Sequence, residues 1–310
     1  MKRFAASADS ETDENIWETV EDAYVYTFPL VLMDATETSA TNTEEVTTEK
    51  APVNQFIHSI ALADAQFRTV VTLNVDPITF FNKANELMVK NSPAAADKEM
   101  LEKIAAVNIG PGMEFDTSVL TGDVAENWKT MLTEIQLKLI KEGQKFSKKL
   151  GQWDYFGEPI GDFNTEYAYR ALVALAGLGA NTVKVALYPK IEQDADGNTL
   201  TGEKSYILHF ESYPQVLEGG FWSVTAYGDD DFLIDNPIDR YCINDRSGLK
   251  VKDDSVDVIL SKDAPEDTTN WLPVGDGGFH LYMRIYTPDM DALETWTAPT
   301  ITEIDPSKAN

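Results

Sequence analysis

Residues 279–286 carry the clearest arrangement for chemistry in this chain. Phe279, Leu281, Met283 and Ile285 alternate with His280, Tyr282, Arg284 and Tyr286, the period of a strand with one face in a core. The other face then lines up an imidazole, two phenols and a guanidinium. Tyrosine pairs an apolar ring with a hydrogen-bonding tip, and arginine presents a planar fork of donors that matches a carboxylate. Such a stripe suits recognition of a carbohydrate or a small carboxylate. The competing reading is structural, because half of every sandwich strand faces water.

Arg170 is a second candidate, set in the apolar run at residues 166–178 (EYAYRALVALAGL). An unpaired charge is costly there. Glu166, one helical turn earlier, is the simple partner, while an anion-holding Arg170 with Tyr167 beside it is the functional reading. Asp194, Asp196 and Asn198 take the first, third and fifth places of a calcium loop. The pattern breaks at Thr199, where glycine belongs, and at Ser205, where a bidentate glutamate belongs, so a side-chain-stabilised hairpin turn is favoured. Calcium is the only cofactor the sequence raises.

His58, His209 and His280 are too far apart in sequence to form a two-histidine metal spacing, and Cys242 stands alone. An internal disulfide and a cysteine-based zinc cage are therefore excluded. GxSxG, P-loop, HExxH and CxxC patterns are absent, so no standard nucleophile, phosphate loop or metal site is announced. These residues favour a non-catalytic binding or structural module that takes a carbohydrate or small molecule, a protein, or a second copy of itself as a homo-oligomer. The alternative is a hydrolase acting on a sugar or ester, drawing acid and base from His280, His209 and nearby carboxylates.

The elements that position these residues fall into two blocks. Residues 1–15 are polar and acidic and read as a disordered tail. Residues 16–181 read as mainly helical: a helix from Ile16 ended or kinked by Pro29, a loop over 34–50, and a strand at 69–73. Further helices follow from Asp76-Pro77, from Ser92-Pro93 and from Asp123, and a buried one covers 166–178. After Asn181 the period changes to two. Strands are expected at 182–188, 204–210, 221–227, 240–243, 256–260, 279–287 and 300–303, separated by turn clusters. The fold class is thus α+β, a helical region followed by an antiparallel β-sandwich of jelly-roll type over residues 182–310.

Composition sets the outer bounds. The chain has 310 residues with 52 acidic against 25 basic side chains, a formal charge of -27, and 43% hydrophobic content. That much apolar surface excludes a disordered polyanion. So acidic a surface repels nucleic-acid phosphates and anionic headgroups, and no run reaches the roughly 18 apolar residues of a membrane span. MKRF and Ala6-Ser7-Ala8 have the ends of a signal peptide without its apolar core, so these residues alone read as cytoplasmic.

Several long motifs resemble a two-part family, domain of unknown function 1254 followed by domain of unknown function 1214. The front half is carried by AYVYTFPLVLMDAT (23–36) and APVNQFIHSIALADAQFRTVVTLNVD (51–76). The back half is carried by YRALVALAGLGAN (169–181), YPKIEQDADGNTLTGEKSYILHF (188–210), FWSVTAYGDDDFLIDNPIDRYCIND (221–245) and NWLPVGDGGFHLYMRIYTPD (270–289). The resemblance implies jelly-roll sandwiches joined to a helical segment, export from the cell, and no defined activity. It adds Asn54, Arg68, Asn74 and Asp76 as polar positions of the front motif. Asn74-Val75-Asp76 here runs straight into Pro77 and a helical block, so most of the family's first sandwich is missing.

Overall fold

A computed structural model describes residues 8–41, 76–177 and 179–305. Asn54, Arg68, Asn74, His58 and the strand expected at 69–73 lie outside the described residues. The chain divides into two compact units, one helical and one built of sheets.

The helical unit contains α1 (Ala8–Thr41), α2 (Pro77–Lys90), α3 (Lys98–Ile104), α4 (Gly122–Glu142) and α5 (Tyr167–Gly177). Helix α1 packs against each of the other four. Between Thr19 and Phe28 it is buried on most sides, with Val20, Ala23, Tyr24, Val25, Tyr26 and Phe28 in the core. This packing overrides the local signals. The helix begins at Ala8, inside the expected disordered tail, and runs through Pro29 into the expected loop at 34–50. A proline inside a helix costs about 3 kcal/mol, less than burying so many large side chains returns.

Helix α2 starts where Asp76-Pro77 indicates, with the Asp76 carboxylate accepting from the Thr79 backbone N–H at 3.1 Å. That contact gives Asp76 a capping role. Ile78 is exposed, and the buried face is Phe80, Phe81, Ala84, Asn85, Leu87 and Met88. Asn85 is a polar core residue whose side chain both donates and accepts. Its Nδ2 donates to the Asn108 carbonyl at 3.1 Å, and its Oδ1 accepts from the Gly110 N–H at 2.8 Å. Helix α3 begins only at Lys98, after a short 3-10 turn, and not at Ser92-Pro93. Val124, Trp128, Met131, Ile135 and Leu139 are the inward stripe of α4, as their spacing requires.

The β unit opens with a hairpin, β1 (Ser147–Leu150) and β2 (Trp153–Phe156), that precedes α5 in sequence. Residues 146–158 thus group with the sheets although they precede α5 in sequence. Its other elements are β3 (Ala186–Leu187), β4 (Lys190–Ile191), β5 (Ser205–Phe210), β6 (Val216–Gly228), β7 (Cys242–Asn244) and β8 (Val256–Ser261). They continue with β9 (Trp271–Pro273), β10 (Phe279–Pro288), the short helix α6 (Met290–Leu293) and β11 (Thr300–Ile304). One sheet has the order β1-β2-β4-β10-β6-β7, with β3 also paired to β10, and the other the order β11-β5-β8-β9. All pairings are antiparallel except β8 with β9.

The sheets pack face to face through Tyr206 on Phe279 and Phe210 on Trp222, with ring centroids 5.9 Å and 5.4 Å apart. Leu281, Met283 and Ile285 of β10 are fully buried beside Val224 and Ala226 of β6. Trp222 is part of this inner layer. The alternation along 279–286 thus sends His280, Tyr282, Arg284 and Tyr286 to the outer side of the larger sheet.

Candidate functional site

The outer face of the larger sheet is centred on Arg284. Strand register sets His280 opposite Tyr227, Tyr282 opposite Thr225, Arg284 opposite Ser223 and Tyr286 opposite Phe221. On the other side, Tyr282 lies opposite Lys190 of β4. Arg284 donates to Thr225 Oγ1 at 3.2 Å and to the Tyr227 hydroxyl at 2.8 Å. Its guanidinium carbon is 5.6 Å from the Tyr227 ring centre and 5.8 Å from that of Tyr282. Among the described residues, no carboxylate lies within ion-pair distance of it. Lys190, 5.6 Å from the same Tyr282 ring, is paired with Glu192. The face thus offers a half-buried guanidinium held by neutral donor–acceptor groups, with its charge uncompensated by a near acid.

His280 is not on a solvated face as its place in the alternation suggests: it is 5% exposed. Its ring stacks on Tyr227 at 5.8 Å and meets Tyr282 edge-on at 5.5 Å. Nε2 is buried and lies 3.4 Å from an Asp231 oxygen without making a hydrogen bond to it. Burial first, and Lys190 second, hold its pKa below the ordinary histidine value, against the opposing pull of Asp231, Glu192 and Asp229. Burial thus disfavours the charged imidazolium. Burial likewise raises the Tyr282 phenol, with Lys190 pulling the other way.

His209 sits elsewhere. On β5 the inward residues are Tyr206, Leu208 and Phe210, so His209 faces outward from the smaller sheet, where Nδ1 is 2.6 Å from Asp257. His280 and His209 occupy opposite outer faces of the sandwich. They cannot serve one substrate as an acid–base pair.

Arg170 and Tyr167 form a separate constellation in the helical unit. Glu166 is exposed and makes no ion pair with Arg170 among the described residues. The guanidinium instead donates to the Tyr26 carbonyl at 3.2 Å and lies 5.3 Å from the ring centres of both Tyr26 and Tyr167. The two phenols in turn donate to the buried Asp97 carboxylate, at 3.1 Å and 3.0 Å. The cation is held by aromatic faces, and the charge that balances it sits beyond the rings.

The loop at 194–198 is a turn stabilised by its own first residue. Asp194 is 2% exposed, and its carboxylate accepts from the backbone N–H groups of Asp196 and Asn198 and from Asn198 Nδ2. A cation would have to displace those donors. Among the described residues, no group of three or more acidic, histidine or cysteine side chains is arranged to hold a metal. No described helix is long and apolar enough to cross a membrane.

Tyr227, Thr225, Ser223 and Lys190 were not singled out from the sequence, although β6 carries a visible signal. Phe221, Ser223, Thr225 and Tyr227 alternate with Trp222, Val224 and Ala226, the same period as β10. Only the register that sets the two strands side by side was missing.

The strands carrying this face, from β3 to the end of β10, coincide with a known sequence family. Residues 185–290 match the family model described as "Protein of unknown function (DUF1214)". Every residue of the Arg284 face named above lies inside that match. The match includes none of the front-half residues that resemble domain of unknown function 1254. Among solved structures, the VPA0106 protein from Vibrio parahaemolyticus is similar in fold, with a TM-score of 0.56 at 22% identity. The similarity covers 77% of this chain and 59% of that one, so this chain spans about three-fifths of that protein's length. An uncharacterised protein from Burkholderia cenocepacia aligns at a TM-score of 0.32 and 13% identity, over 46% of this chain and 42% of its own. No curated protein matches this chain.

Proposed function

We propose that this protein is a non-catalytic binding module whose jelly-roll-type sandwich holds a small anionic ligand on its outer sheet face, at Arg284. The observation that carries the reading is the state of Arg284: half-buried, oriented by Thr225 and Tyr227, flanked by two aromatic rings, and without a neighbouring carboxylate among the described residues. A fixed guanidinium has already lost its rotamer freedom, so an incoming carboxylate meets its remaining N–H groups at little ordering cost. His280 is buried among the rings and His209 faces outward from the other sheet, so no acid–base pair converges beside Arg284, which sets binding ahead of hydrolysis.

The test is thermal unfolding of the full chain with citrate, glucuronate and benzoate, each beside its uncharged amide. A carboxylate at 100 times its Kd should stabilise by about 2.7 kcal/mol. Arg284→Ala is expected to abolish the shift, and Arg284→Lys to leave only a fraction of it, because a point charge replaces the fork. A wild-type response that Arg284→Ala leaves unchanged would sink the assignment.

A further inference from the structure

The neighbours of Arg284 constrain the rest of the ligand. Along β6 the outward residues are Phe221, Ser223, Thr225 and Tyr227, two small hydroxyl side chains between two aromatic rings. Arg284 leans over Thr225 toward Tyr227, and Thr225 is buried beneath it. Ser223, directly opposite Arg284, stays partly exposed, and its hydroxyl has no hydrogen-bond partner among the described residues. On the far side of Ser223 the Phe221 and Tyr286 rings stack at 4.5 Å and 21°. Tyr188 meets Tyr286 edge-on at 6.2 Å, and the Arg246 guanidinium lies 5.7 Å from the Phe221 ring centre.

We propose that this face takes a small carboxylate bearing an aromatic or similarly planar apolar group. Its carboxylate sits over Ser223 against Arg284, and its ring against the Phe221–Tyr286 pair. This rests on the anion reading above and goes beyond it by fixing the ligand's second half. The guanidinium and the Ser223 hydroxyl together supply donors to both carboxylate oxygens. An inorganic anion would leave the ring pair unused, whereas a planar apolar group gains by leaving water there and by offset contact with two rings. A neutral planar ligand would forgo the charged contact that Arg284 offers. With a net charge of -27 on the chain, long-range steering opposes any anion, so selection has to come from these short contacts.

Calorimetric titration of the full chain with phenylacetate, acetate and phenylacetamide tests this directly. Phenylacetate is expected to bind about tenfold tighter than acetate, from the ring's burial and stacking, and tighter than the neutral amide. Tyr286→Leu should bring phenylacetate down to the affinity of acetate and leave acetate unchanged. Ser223→Ala should weaken both carboxylates about fivefold, the worth of one hydrogen bond. Melting curves confirm that each variant folds, and Phe221→Leu replaces Tyr286→Leu if the latter does not. Equal affinities for acetate and phenylacetate, both lost in Arg284→Ala, would overturn the planar-ligand assignment and leave the anion site standing. No binding of either carboxylate would overturn both.

Discussion

Asp97→Ala is expected to destabilise the helical unit by about 2–4 kcal/mol, because it leaves buried donors unpaired. Asp97 is 5% exposed and accepts three hydrogen bonds, from the Tyr26 hydroxyl, the Tyr167 hydroxyl and the Ala94 N–H. Those contacts tie α1, the turn before α3, and α5 together. Removing the carboxylate strands the Tyr26 phenol in the core and leaves that of Tyr167 half-buried. It also removes the negative charge that balances Arg170 across the two rings, and Arg170 Nε is already buried without a partner among the described residues. Burial, then the bond to Asp97, holds the Tyr167 phenol up at about 12. The same substitution should therefore lower the Tyr167 titration toward the usual phenol value. Urea unfolding followed by helical circular dichroism reads the stability. Asp97→Asn, which keeps one acceptor oxygen, should lose less. Because Tyr26→Phe removes the same bond, the double variant should lose less than the two single losses added together. A wild-type midpoint in Asp97→Ala would show that the network contributes nothing.

This network also marks how far the sequence can be read. Arg170 stands out as a charge in an apolar helix, and Glu166 is its nearest acid in sequence. The partner it finds in space is an aromatic pair that includes Tyr26, 144 positions away, and no periodicity encodes that distance. Asp97 lies in a charged run, ADKEM, that reads as an exposed turn, and its burial follows only from where α1 and α5 place their tyrosines. Pro29 and the threonine-rich stretch after it announce an end to α1, yet tertiary burial carries the helix onward. The β10 stripe was legible because a period of two is local. Its meaning was not, because Tyr227 and Ser223 reach Arg284 through register, and register is set by the whole sheet. The β1–β2 hairpin was hidden for another reason: SKKLGQWDYF shows no apolar alternation. Its one large anchor, Trp153, is fully buried and donates from Nε1 to the Pro299 carbonyl at 2.7 Å, a partner 146 residues away.

Gly202→Ala is expected to cost the β unit about 3 kcal/mol or more, at the upper end of what overpacking causes. The sequence draws attention to residues 194–203 as a partial calcium loop, and the structure gives the end of that segment a steric role. A Cβ on Gly202 would lie 1.8 Å from the Gly275 carbonyl oxygen and 2.7 Å from its carbon. Both obstructing atoms are backbone, so no side chain can rotate away. Gly202 also donates to the Gly277 carbonyl at 2.8 Å, and Thr201 bridges to Gly278. Residues 201–202 therefore hold the turn that delivers the chain into β10 at Phe279 and His280. Forcing them apart should disturb the first residues of β10, and with them the stacking of His280 on Tyr227, whose hydroxyl holds Arg284. Loss of stability and loss of carboxylate binding should accordingly appear together in Gly202→Ala. Gly277→Ala is the control: its Cβ would meet nothing within 4 Å and its φ is not positive, so the change should stay within about 0.5 kcal/mol. Equilibrium unfolding of the two variants by tryptophan fluorescence decides the matter. If Gly202→Ala unfolds at the wild-type midpoint, the contact between these two turns does not set the path into β10.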